Sequence, residues 1–123
     1  MKKILLFVLV VLATSALAQE AIKTIFETKN IEVKQGKAFV IALEANPTTG
    51  YMWSLAQPLD EKAVKLVKEK YTSQSNLVGA GGVDRWEFKA LTKGQTKIVL
   101  KYSRAWEKKI PPLQLYTYKI KII

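Results

Sequence analysis

Any chemistry in this chain has to come from carboxylates, lysines, tyrosines and hydroxyls, because its 123 residues include neither His nor Cys. Without imidazole or thiol there is no Ser-His-Asp or Cys-His nucleophile pair, no Cys/His zinc site, no haem attached through Cys and no disulfide framework. Acid–base work would fall to Asp60, Glu61 or Glu87. They fall on a strand or away from the chain's three unusual loops, where no carboxylate pair converges as paired-carboxylate catalysis requires. The composition disfavours an enzyme, and no catalytic residue, metal or cofactor is assigned.

Three segments have a chemistry of contact instead. The first is Asn46, Pro47, Thr48, Thr49, Gly50 and Tyr51. Pro47 fixes its own φ and pushes Asn46 toward an extended conformation, Gly50 permits a positive φ, and the β-branched threonines between them are stiff at χ1. A compact, preorganised projection is expected, although a plain strand connection would use the same Pro and Gly. The second segment, residues 72–82, ends in Gly79, Ala80, Gly81 and Gly82. Its backbone is unshielded and could approach a partner closely, or equally form a loose linker. It is no phosphate cradle, since the strand-to-helix context and the Gly-Lys-Ser/Thr ending are missing. The third places Arg104, Ala105 and Trp106 ahead of Glu107, Lys108 and Lys109. A Trp with charged neighbours that cannot follow it inside favours a contact residue over a core one.

The elements that must position these loops read with period two. Apolar and polar residues alternate over 37–44, 51–56, 83–92, 96–102 and 114–123. Residues 64–71 are also strand-like, but Val64 and Leu66 fall on one side and Val67 and Tyr71 on the other, so the inward face is undecided. A short run, 31–34, precedes the turn signal Gln35-Gly36, and residues 60–64 could form one helical turn or a loop. About seven strands in some hundred residues predict an all-β, immunoglobulin-like β-sandwich with Trp53 as its buried indole. If consecutive strands run antiparallel, connections alternate between the two ends of the sandwich. The three unusual loops then share one end.

The start of the chain reads as a leader. Lys2 and Lys3 precede an unbroken apolar run from Ile4 to Ala13, and Ala16-Leu17-Ala18 provides small residues for cleavage. A cleaved signal peptide over 1–18 and a single domain over 19–123 are expected, with a secreted or periplasmic location. The apolar run is too short for a membrane span of about 20 residues, and no Cys is available for a lipid anchor. Removing Lys2 and Lys3 takes the net charge from +10 to +8. The lysines are interleaved with apolar positions, and Arg85 and Arg104 are the only arginines. That pattern suits the outward faces and edges of a soluble β-protein, and disfavours nucleic acid as a partner.

With these residues placed, the sequence resembles the chagasin-type inhibitors of papain-like cysteine peptidases. The likeness rests on Asn46-Pro47-Thr48-Thr49-Gly50-Tyr51 with Trp53, on Gly79-Ala80-Gly81-Gly82, and on Arg104-Ala105-Trp106, in the family's order and within residues 30–123. It implies three loops that wedge reversibly into a peptidase cleft; nothing in the sequence suggests anything but a monomer. Thr48 and Thr49 would sit over the catalytic Cys-His pair, residues 79–82 would follow the substrate groove, and Arg104 and Trp106 would grip the far wall. The family usually has Pro between this Arg and Trp, where this chain has Ala105. The alternative is a binding or adhesion module for a carbohydrate or cell-surface partner, using Trp106 and its neighbours.

Overall fold

Alternating side chains become strand wherever one face can be buried. In the computed structural model, which describes residues 23–123, they form β1 (Ile25–Val33), β2 (Ala38–Ala45), β3 (Met52–Leu55), β4 (Val64–Ser73), β5 (Gly82–Ala90), β6 (Gly94–Ser103) and β7 (Gln114–Ile122). The expected leader at 1–18 lies outside the described residues. The strands build a four-stranded sheet, ordered β1-β7-β6-β3, and a three-stranded sheet, ordered β2-β5-β4. This is the expected all-β, seven-stranded sandwich.

The inner faces follow the alternation. Trp86, Phe88 and Ala90 of β5 are buried, as are Ile98, Leu100 and Tyr102 of β6 and Tyr118, Ile120 and Ile122 of β7. Trp53 is buried as expected; its Nε1 donates to Glu44 O at 3.0 Å, and its ring packs on Tyr102 and Tyr116. Side chains as fully enclosed as Phe88 and Ile98 each contribute about 1.5–3 kcal/mol through burial.

Two strands differ from their sequence pattern. β1 is far longer than the run at 31–34. It is an edge strand pairing parallel with β7 from Ile25 opposite Gln114 to Val33 opposite Ile122, and Val33 is its only buried residue. Backbone pairing holds it, so little apolar alternation marks it. In β4, the register with β5 slips between Leu66 and Lys68, leaving Val67 as an exposed extra residue. Such a bulge shifts the alternation by one. Val64, Leu66 and Tyr71 therefore share the inner side, with Glu69 in the same phase but exposed, which resolves the conflict between Val64/Leu66 and Val67/Tyr71. Residues 60–64 form a turn, with Asp60 O accepting from Ala63 N and Val64 N at 2.9 and 3.0 Å.

Candidate functional site

The three unusual loops meet at one end of the sandwich. Each is first shaped by its own residues. In the β2–β3 loop, Pro47–Thr49 is a single turn of 3-10 helix, an element the sequence pattern does not reveal beyond its compactness. Asn46 caps it: the side-chain oxygen accepts from Thr48 N at 3.3 Å and Thr48 Oγ1 at 2.6 Å. Thr49 Oγ1 donates to Asn46 O at 2.7 Å. Gly50 closes the turn in the left-handed region, φ 85°, its N–H donating to Pro47 O at 3.0 Å. Thr48 and Thr49 are left exposed at the tip.

The β4–β5 loop is pinned at its base, where Gln74 N donates to Gly81 O at 3.2 Å. Further along, Ser73 Oγ donates to Ser75 O at 2.6 Å, Leu77 N donates to Ser75 Oγ at 3.1 Å, and Ala80 N donates to Leu77 O at 3.2 Å. At the crest, Leu77 and Val78 are largely and fully exposed, ahead of Gly79 at φ 80°. In the β6–β7 loop, Glu107 N donates to Arg104 O at 3.1 Å, which makes Ala105 the second residue of a turn. Trp106 is 69% exposed and stays out of the core.

The loops are also tied to one another. Asn46 Nδ2 donates to Gly79 O at 3.0 Å, joining the first loop to the second. Arg104 Nε donates to Thr49 O at 3.0 Å, joining the third to the first. The same guanidinium lies 4.3 Å above the Tyr51 ring and 3.3 Å from Glu107 Oε1, so cation–π attraction and an ion pair hold its plane. Gly50 faces the Trp106 indole so closely that a Cβ there would overlap the ring. Below them, Asn46 N donates to Tyr102 Oη at 2.9 Å. Asn46 thus meets Gly79, Arg104 meets Tyr51, and Gly50 meets Trp106. Pro47, Thr48, Thr49, Ala80, Gly81, Gly82 and Ala105 complete the same end. Among the described residues, no group of three or more His, Cys, Asp or Glu side chains could hold a metal ion.

The profile described as "Chagasin family peptidase inhibitor I42" matches residues 32–122. The chain belongs to the chagasin family of peptidase inhibitors. Amoebiasin-2 from Entamoeba histolytica is 37% identical over 83 residues, spanning 67% of this chain and 68% of that protein. Chagasin from Trypanosoma cruzi is 31% identical over 80 residues, spanning 62% and 73%. Among solved structures, the Entamoeba histolytica cysteine protease inhibitor EhICP2 superposes with a TM-score of 0.68 at 28% identity, over 81% of this chain and 96% of that one. PbICP-C, solved in complex with falcipain-2, shares the fold with a TM-score of 0.66 at 20% identity, over 82% and 92%. This protein is a chagasin-type cysteine peptidase inhibitor and not an enzyme.

Some of this loop cluster is not marked in the sequence. Leu77 and Val78, the most prominent apolar side chains of the second loop, stand ahead of Gly79, Gly81 and Gly82. Tyr102 and Glu107 bear on the loops from beneath. Tyr102 is part of the β6 alternation and reads as core, which it also is; its hydroxyl role appears only once β2 ends beside it.

Proposed function

We propose that this protein is exported and blocks the active-site cleft of papain-like cysteine peptidases with the three tied loops, reversibly and in competition with substrate. One observation carries the reading: the hydrogen bonds from Asn46 to Gly79 and from Arg104 to Thr49 make one rigid edge of three separate connections. Rigidity matters because ordering loops on binding consumes affinity, and these loops are already ordered. Inhibition then needs no chemistry from the inhibitor. Thr48 and Thr49 fill the space over the catalytic Cys-His pair, residues 79–82 lie along the substrate groove with Leu77 and Val78 leading, and Arg104 with Trp106 bears on the far wall.

Support for the partner class comes from the family and from the neighbour PbICP-C, whose structure holds falcipain-2. Support for export comes from Lys2, Lys3, the apolar run 4–13 and the Ala16-Leu17-Ala18 site. The contact should bury about 800 Å² on each partner. Titrating the purified chain against papain with a fluorogenic peptide tests the reading. The apparent inhibition constant should rise linearly with substrate concentration, and the absence of inhibition across several papain-like enzymes would refute it. Thr49→Glu places an unpaired charge where the cleft is dry, so inhibition should fall sharply. An unchanged constant would remove the first loop from the contact.

A further inference from the structure

Among the described residues, Asp84 is the single buried charged side chain. It lies on the inner face of β5, opposite Leu43 of β2 and Tyr71 of β4. Its Oδ2 accepts from Trp86 Nε1 at 3.0 Å, while its Oδ1 is enclosed without any hydrogen-bond partner. It lacks a countercharge, since the ion pairs among the described residues are Lys29–Glu27 and Arg104–Glu107. The bulge at Val67 instead brings Glu69, an exposed residue of the edge strand paired with Trp86, to the same face of the sheet, where its carboxyl comes within hydrogen-bonding reach of Asp84. Two ionised carboxylates repel at such a distance, whereas one carboxylic acid and one carboxylate bind each other strongly.

We propose that Glu69 and Asp84 share one proton, and that this acid pair positions the base of the glycine-rich inhibitory loop. The link to the loop is short. Tyr71, opposite Asp84 in register, has its hydroxyl and ring against Gly82, at a distance where a Cβ could not fit. Gly82 in turn pairs with Ser73 on one side and with Ala45, the residue before Asn46, on the other. A displaced Asp84 strand would move both the second loop and the cap of the first.

Nothing else nearby supplies the missing charge. On β4 and β5, Lys68, Lys70, Arg85 and Glu87 alternate to the outer face, and the β2 residues opposite Asp84 and Trp86 are Leu43 and Ile41. From the other sheet, the inward titratable groups are the Tyr102, Tyr116 and Tyr118 phenols, with Glu27 and Lys29 of β1 paired to each other at 3.1 Å. The hydrogen bond to Asp84, then burial, then the Asp84 charge push the Glu69 carboxyl from its ordinary 4.5 up to about 7. A raised value means that the folded form binds the extra proton. Its stabilisation is complete below about pH 4.5 and is lost as pH rises through about 7.

The loop's purpose rests on the inhibitor reading, but the pair is tested without a peptidase. Carbon-13 NMR of the purified protein should show the Glu69 carboxyl titrating near 7. The melting temperature should fall from pH 5 to pH 8, and exchange protection of the Gln74 and Ala80 amides should fall with it. In Glu69→Gln, a neutral donor that cannot ionise, both losses should disappear. At pH 8 this variant should also inhibit papain several-fold better than the parent, while the two are equal at pH 5; comparing them at one pH cancels the peptidase's own titration. A Glu69 carboxyl titrating near its ordinary value, or a Gln variant with the parent's pH slope, would overturn the shared proton. A raised carboxyl whose titration leaves loop protection untouched would overturn the positioning role. If Glu69→Gln does not fold, the parent's carboxyl titration and amide exchange decide both points. Failure of both proteins to inhibit papain would refute the inhibitor reading alone.

Discussion

Asn46 does more than its place in a Pro-Thr-Thr-Gly turn demands. Its side chain caps the 3-10 turn through one end and ties down the second loop through the other. Asn46→Ala should therefore lose about 1 kcal/mol of stability as a cap. The larger effect should be on the inhibition constant, because two loops loosen together; thermal melting and a papain titration separate the two. Gly50 is constrained twice, by its positive φ and by the indole pressed on it. Gly50→Ala should cost about 1–2 kcal/mol from the backbone alone and displace Trp106 as well, which tryptophan fluorescence would report. Trp106→Ala should weaken inhibition by roughly 2 kcal/mol if the indole anchors the contact. It should leave the melting temperature nearly unchanged, since the ring is 69% exposed.

At the scale of elements, the β6–β7 loop shows what the departure at position 105 means. Ala105 is the second residue of the turn closed by Glu107 N and Arg104 O, the position where Pro is favoured in such turns. Ala105→Pro should stabilise the loop by about 0.4–1 kcal/mol and tighten inhibition two- to five-fold, chiefly through slower dissociation. A weaker constant would mean that the Arg104 turn has a φ that Pro cannot adopt. The strands differ in how far their residues announce them. β5, β6 and β7 are legible because Trp86-Phe88-Ala90, Ile98-Leu100-Tyr102 and Tyr118-Ile120-Ile122 each bury one clean face. β1 is not, because Glu27, Lys29 and Asn30 bury no apolar face and follow β7 through backbone pairing. β4 is legible only in part, because one bulged residue, Val67, inverts the phase of everything after it.

For the whole molecule, parity is the step that made the site readable. Connections that alternate between two ends put three loops, far apart in the chain, at one edge before any contact is known, and the ties from Asn46 and Arg104 realise it. Side-chain pairings across strands, such as Glu69 with Asp84 or Tyr102 with Asn46, stayed hidden because they depend on register. The absence of His and Cys proves compatible with a protein that presents shape rather than reactivity. It also leaves the sandwich without a disulfide, so the apolar core carries the stability alone. Phe88→Ala, at a fully buried position that also stacks on Phe39 and Trp86, should cost about 3–5 kcal/mol and abolish inhibition through unfolding, as circular dichroism would show. The parallel pairing of β1 with β7 bears on time rather than on stability. Ile25 meets Gln114, and Val33 meets Ile122, so the four-stranded sheet closes only when the last strand has been synthesised. Without β7, β1 and one side of β6 are left without partners. Folding dominated by such distant contacts is slow, on the scale of milliseconds to seconds.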